Sequence, residues 1–360
     1  MSLITIAAFA IALFFAMNIG ASGTAAAMGP AYGSGAIKKK RNAMFLVAIF
    51  AFLGALAGGE VVKTIGGGII PPDVVDVNVV TIILAAACLT LFIANLIGIP
   101  LSTSEVVVGS IVGAGVAFQA VYFDKLFVIV SFWVIVPIVA FGLAYGFGFV
   151  LKRAEKKWPA LKGEGKWKKW LVVLLVLAGC LEAFAAGMNN VANAVGPLVG
   201  AGLIDITPAL IIGGIFVSLG AILLGGRVLE TNGKRITRLS LTQGTTVSSI
   251  GGVLVIIASI FGLPVPLTQV TTSAILGIGT ADNGFKLWQK GIIKKIIKVW
   301  VVSPVFSLVI SYGLIMLFLK ADFYTIAIIL SVFIATIGSI SLAQAGRKEK
   351  RAVHDQGGGI

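Results

Sequence analysis

Apolar residues fill this 360-residue chain in long stretches: 3–36, 43–66, 77–98, 100–120 and 127–151, then 170–204, 207–229, 244–262, 264–281 and 296–319, with one more at about 323–343. A stretch of roughly 18 residues or more can span about 30 Å of hydrocarbon. Backbone in lipid finds no water, so each stretch must satisfy its own amides, which selects helices over open strands. The pattern predicts an all-α integral membrane protein with eleven crossings.

One motif occurs twice. Gly20-Ala21-Ser22-Gly23-Thr24-Ala25-Ala26-Ala27-Met28-Gly29-Pro30 returns 167 residues later as Gly187-Met188-Asn189-Asn190-Val191-Ala192-Asn193-Ala194-Val195-Gly196-Pro197. The same offset carries Gly58-Gly59-Glu60 onto Gly225-Gly226-Arg227, and Trp133 and Pro137 onto Trp300 and Pro304. Three matches in register indicate a duplicated unit: residues 1–151, a basic linker at 152–169, and a second copy at 170–319. An extra membrane helix at 320–343 and a tail at 344–360 follow.

Loop charge then sets orientation. Basic loops lie at Lys38 to Arg41, Lys152 to Lys169, Lys234 to Arg238, Lys286 to Lys298 and Arg347 to Arg351, while Asp73, Asp76, Asp124, Asp205 and Asp322 mark the others. Placing basic loops in the cytoplasm of a multi-pass plasma-membrane protein puts the N-terminus outside and the C-terminus inside. Five crossings per copy is an odd number, so the two copies are inverted. Inverted repeats with broken or re-entrant helices are the ground plan of secondary transporters, with the binding site near the midplane.

Composition agrees: 58% of residues are hydrophobic and 12% charged, with mean hydropathy +1.05. A soluble chain carries about twice that charge. The net charge of +14 resides in loops and does not indicate nucleic acid. Cys88 and Cys180 sit in apolar stretches as core residues, and His354, the single histidine, lies in the tail. No metal site, cofactor or catalytic group is expected. No basic segment precedes the apolar stretch 3–17, so it is read as a retained helix rather than a signal peptide.

The chemistry is expected where apolar stretches carry polar motifs. Stretches 3–36 and 170–204 exceed 30 residues, more than one membrane crossing needs, and each contains the Gly-rich motif. Both are read as helices broken at the motif, exposing N–H groups and a positive dipole end to an anion. Ser22, Gly23, Thr24, Asn189, Asn190 and Asn193 would line that site. Two short stretches led by proline supply the rest: Pro100-Leu101-Ser102-Thr103-Ser104-Glu105 and, 164 residues on, Pro264-Val265-Pro266-Leu267-Thr268-Gln269. Charges within apolar stretches need a reason. Glu105 and Glu182 are candidate proton carriers. Glu60 and Lys63 correspond to Arg227 and Glu230 with signs exchanged, which suggests cross-repeat pairs Glu60–Arg227 and Lys63–Glu230. Pairs within one helix are the alternative.

The segment Gly-Met-Asn-Asn-Val-Ala-Asn-Ala at 187–194 resembles the G-A-N-D-V-A-N-A signature of the inorganic phosphate transporter (PiT) family of secondary carriers. That family carries the signature once per repeat, with P-V-S-T-T-H later in each. The first copy, Gly-Ala-Ser-Gly-Thr-Ala-Ala-Ala at 20–27, is more divergent. The family's aspartates, which look like sodium ligands, are Gly23 and Asn190 here, and its histidines are Glu105 and Gln269. A hard cation wants carboxylate oxygens, so the resemblance does not carry sodium coupling over; it points to the bacterial sulfate permease branch. Physical chemistry agrees: phosphate near neutral pH keeps a proton to donate to a carboxylate, whereas sulfate has none and is repelled by one. The expected function is sulfate import by proton symport and alternating access. The alternative is a phosphate carrier of the same family, with or without sodium coupling, and a homodimer is left open.

Overall fold

A computed structural model describes residues 1–97, 101–163, 165–230, 239–284, 288 and 291–332. The regular structure among them is helical. The apolar stretches fold as α1 (Leu3–Ile19), α2 (Gly29–Gly33), α3 (Lys40–Ala55), α4 (Gly59–Gly67), α5 (Val77–Ile97), α6 (Thr103–Phe118) and α7 (Phe123–Lys157). They continue as α8 (Lys168–Gly200), α9 (Ile206–Leu224), α10 (Gly226–Glu230), α11 (Leu241–Ile260), α12 (Leu267–Asn283) and α13 (Gly291–Phe318). A short apolar helix, α14, runs Phe323–Val332.

Contacts divide the chain into Met1–Ser311 and Tyr312–Ile360. In the second unit, Asp322 opens α14 by accepting from the Thr325 amide (3.1 Å) and hydroxyl (2.6 Å), which hold its carboxyl below the usual range. The basic loop 234–238, residues 286, 287, 289 and 290 of the loop 286–298, the rest of the final helix and the tail lie outside the described residues.

Among the described residues, seven helices are long and apolar enough to cross a membrane, eight if α3 and α4, bent by 71°, make one span. The difference from eleven has a physical source. α6 and α12 have 16 and 17 residues, about 25 Å at 1.5 Å per residue, short of the hydrocarbon thickness. α14 is described over ten residues only.

The two long motif-bearing stretches differ. The first breaks as expected: α1 gives way to a π-helical turn, Gly20–Thr24, in which Ser22 leaves helical geometry (φ −99°, ψ −105°). The second does not break, and α8 runs 33 residues straight through the motif. It has Asn190 where the first copy has the conformationally permissive Gly23, so no glycine frees the backbone from the helix beside the break position.

Helices of the first copy pack on helices of the second through glycines. A methyl at Gly187 or Gly54, at the crossing of α8 and α3, would stand 1.9 Å from the carbonyl of Ala51 or Phe184. At the crossing of α1 and α9, Gly20 and Gly220 bear the same relation, at 1.9 Å, to the carbonyls of Val217 and Met17. The outward faces of α7 and α9 expose Phe127, Ile138, Ile211 and Leu223, as lipid contact requires.

The ion pairs proposed from symmetry are not formed. Lys63 Nζ binds Glu60 on its own helix at 2.6 Å, Glu230 binds Lys40 at 2.7 Å, and Arg227 donates to the Leu96 carbonyl at 2.9 Å. Glu60 and Lys63, one turn apart, find each other locally before either can reach across, whereas Glu230 does reach the first copy but at Lys40. The Glu60–Lys63 pair is more than half exposed. Glu60→Gln is therefore expected to shift stability by no more than about 1 kcal/mol, read by heat-induced unfolding in detergent. A larger loss would revive a cross-repeat role.

Candidate functional site

Two helix N-termini meet inside the first unit. Ser102 caps α6, its hydroxyl accepting from the Glu105 amide at 3.3 Å. Ser104 Oγ donates to the Val265 carbonyl (3.2 Å), and Thr268 Oγ1 donates to the Leu101 carbonyl (3.2 Å). These two bonds are counterparts: Ser104 and Thr268 are 164 residues apart, as are Leu101 and Val265. The next residue in each helix completes the arrangement, the Gln269 amide donating to Glu105 Oε1. The leading N–H groups of a helix have no partner within it, so two positive dipole ends converge here.

The asparagines of α8 form a third wall. Asn190 Oδ1 accepts from Thr103 Oγ1 at 3.1 Å, and Asn193 Nδ2 donates to Thr103 Oγ1 (3.0 Å) and Ser104 Oγ (3.2 Å). Asn189 Oδ1 accepts from Ser104 Oγ and the Val265 amide, both at 3.3 Å. Its Nδ2 donates to Ser259 Oγ (2.9 Å) and the Leu263 carbonyl (3.0 Å). The π-helical turn is the fourth wall. Ser22 Oγ donates to the Leu101 carbonyl (3.3 Å), and Asn190 Nδ2 reaches Thr24 Oγ1 (3.5 Å). A methyl at Gly23 would lie 3.2 Å from Thr268 Oγ1 and 3.3 Å from Asn190 Nδ2.

Thus Ser22, Gly23, Thr24, Ser102, Thr103, Ser104, Asn189, Asn190, Asn193, Thr268 and Gln269 gather in one buried cluster. Glu105 adjoins it at 3% exposure. Sequence reasoning missed the Leu101 and Val265 carbonyls and Ser259. The first two were signalled by their place directly after Pro100 and Pro264. A cluster of neutral hydroxyls and amides beneath two helix N-termini is suited to a multiply charged anion. Asn193 Oδ1, Glu105 Oε2 and Glu182 Oε2 are buried without a protein hydrogen-bond partner.

Glu182 lies two turns before Asn189 on α8. It is fully buried and accepts from the Thr271 hydroxyl of α12. α11 passes it at Gly251, where a methyl would stand 3.0 Å from Glu182 Oε1. Glu182 is therefore adjacent to the cluster through α12, not inside it.

Comparison with known proteins agrees with this geometry. The model of the phosphate transporter family matches residues 19–311. The chain is 57% identical to the sulfate permease CysP of Bacillus subtilis (strain 168) over 99% of both chains. A solved structure titled "The sodium-dependent phosphate transporter" superposes with a TM-score of 0.77 at 25% identity, covering 89% of this chain and all of that one. The match extends across both copies of the motif and every residue of the cluster, and the chain belongs to the phosphate transporter family.

Proposed function

We propose that this protein is a secondary active permease that imports sulfate across the plasma membrane, driven by protons and working by alternating access. The neutral, buried, donor-rich cluster beneath the N-termini of α6 and α12 carries this reading. Where the family signature has aspartates, the cluster holds Gly23 and Asn190, and a dianion without a proton is repelled less by these than by carboxylates. The 57% identity to a protein named as a sulfate permease supports the same substrate. The reciprocal Ser104 and Thr268 bonds, and the paired glycine crossings, support two inverted repeats with the anion between them. We assign the cluster residues as the oxyanion site, Glu105 as the leading proton carrier and Glu182 as the second, with the N-terminus outside and the C-terminus in the cytoplasm.

Phosphate is the second reading, favoured by the family's description and by the sodium-dependent phosphate transporter that shares this fold. Radiolabelled uptake into proteoliposomes separates the two. Under an inward proton gradient without sodium, sulfate uptake is expected to collapse with a protonophore and to resist excess phosphate. Phosphate uptake that needs sodium, with no sulfate uptake, would overturn the sulfate assignment.

A further inference from the structure

The interface of α6 with α13 is polar where its counterpart is not. α13 carries Ser303, Ser307 and Ser311 at four-residue spacing, each at 5% exposure or less. Ser303 turns its hydroxyl toward the Glu105 carboxyl as a hydrogen-bond donor. Ser307 Oγ donates to the Val106 carbonyl at 2.7 Å and shares a hydrogen bond with Ser110 Oγ. Ser311 packs on Gly113, where a methyl would lie 3.1 Å from Ser311 Cβ. Along α13 this file extends about 12 Å from Glu105 toward the C-terminal end of α6.

Hydroxyls in apolar helices usually bond the carbonyl four residues back, as Thr90, Ser259 and Thr280 do. Ser303 Oγ and Ser311 Oγ do not: Ser303 faces the Glu105 carboxyl, and Ser311 Oγ is buried with no protein partner. A buried polar atom left this way costs roughly 1–3 kcal/mol, and the common remedy is an ordered water with several polar neighbours. Ser307 is bonded across the interface as a helix-gluing serine would be, whereas Ser311 is not.

The duplication supplies an internal control. Gly277 of α12 faces the Phe141 carbonyl and Ala144 of α7 as Gly113 faces the Leu308 carbonyl and Ser311. At that second interface the positions of Ser303, Ser307 and Ser311 hold Val136, Ala140 and Ala144, that of Ser110 holds Ala274, and that of Glu105 holds Gln269. Packing is thus satisfied by apolar side chains, and the hydroxyls occur on the side that has the carboxylate.

We infer that α6 and α13 enclose a hydrated file of hydroxyls that delivers protons to Glu105 from the membrane face toward which α6 runs. The inference rests on the reading of Glu105 as the coupling carboxylate. In the file each hydroxyl or water accepts a proton from one neighbour and passes another on. Hydronium at the entrance becomes water, and the Glu105 carboxylate becomes the neutral acid. The side chains that face the Glu105 carboxyl are the neutral Gln269 and Ser303. The cavity of about 480 Å³ beside Glu105, walled by Trp133, Trp300 and valines, holds no second charged group.

The test uses full-length protein in proteoliposomes. The triple variant Ser303→Ala, Ser307→Ala, Ser311→Ala is expected to slow proton-driven sulfate uptake by about tenfold or more, a barrier increase of about 1.4 kcal/mol. Sulfate counterflow, which needs no net proton movement, should be unchanged, and Ser307→Thr, which keeps a hydroxyl, should retain uptake. Wild-type uptake in the triple variant overturns the file, as does an equal loss of counterflow, which would mark the serines as structural. Glu105→Gln distinguishes the two readings. Lost uptake in Glu105→Gln beside an unaffected triple variant sinks the file alone, whereas unimpaired proton-driven uptake in Glu105→Gln sinks both. Independently of activity, Ser307→Cys in a background with Cys88 and Cys180 replaced by alanine should react with silver ion, and Ala140→Cys should not. Equal protection of the two thiols would contradict the hydrated file.

Discussion

Gly23→Asp is expected to abolish sulfate uptake while leaving a folded protein. Gly23 lies in the π-helical turn with Thr268 and Asn190 around it, each just over 3 Å from where a Cβ would stand. A carboxylate placed there meets hydroxyl and amide donors, so the empty site tolerates it. A bound dianion does not. At an effective dielectric near 20, a carboxylate about 4 Å from a doubly charged anion is repelled by about 8 kcal/mol, and even a fifth of that costs tenfold in affinity. Gly23→Ala separates size from charge. Its methyl asks the Thr268 and Asn190 side chains to yield by a few tenths of an ångström, so it should weaken uptake only a few-fold. The ratio of sulfate to phosphate uptake is the sharper readout. Phosphate can donate its remaining proton to the new carboxylate, so Gly23→Asp should penalise it less. A Gly23→Asp protein that transports sulfate normally would remove Gly23, and with it the π-helical turn, from the oxyanion site.

Much of this site was legible in the sequence because membrane interiors make polar residues conspicuous. The Ser-Thr-Ser run after Pro100 and the asparagines at 189, 190 and 193 stood out against apolar neighbours, and they do meet. What the sequence concealed was how a motif is used. The same repeated motif forms a π-helical turn in one place and a continuous helix in the other. The difference lies in whether side chains or backbone groups are offered: Gly23 beside Ser22 frees the chain to bend, while the asparagines reach the cluster from an intact helix. The charged residues misled for a related reason. Symmetry placed Glu60 opposite Arg227, but Lys63 one turn away is nearer than any partner across the interface. The serine file of α13 was overlooked because single serines in an apolar helix look unremarkable until the four-residue spacing is set against Val136, Ala140 and Ala144.

The glycine crossings give the largest expected effect on stability. Gly220→Ala places a methyl 1.9 Å from the Met17 carbonyl oxygen and 2.5 Å from its carbon. The neighbour is backbone, so no rotamer change relieves the overlap and α1 must part from α9. Overpacking of this kind costs about 1–3 kcal/mol or more, which outweighs the roughly 1 kcal/mol that alanine gains over glycine in a helix. Gly142→Ala and Gly146→Ala on α7 meet nothing within 4 Å, so there the helical gain stands alone and the sign reverses. Heat-induced unfolding in detergent should therefore show Gly220→Ala and Gly187→Ala well below wild type, with Gly142→Ala at or above it. Double variants probe the architecture further. Gly54 and Gly187 share the crossing of α3 with α8, so once one methyl has forced those helices apart, the second should cost little. Gly54 and Gly220 belong to different crossings, and their costs should add. Full additivity in both doubles would mean that each carbonyl contact yields on its own, and the crossings would then not be the rigid pairs on which the oxyanion cluster is mounted.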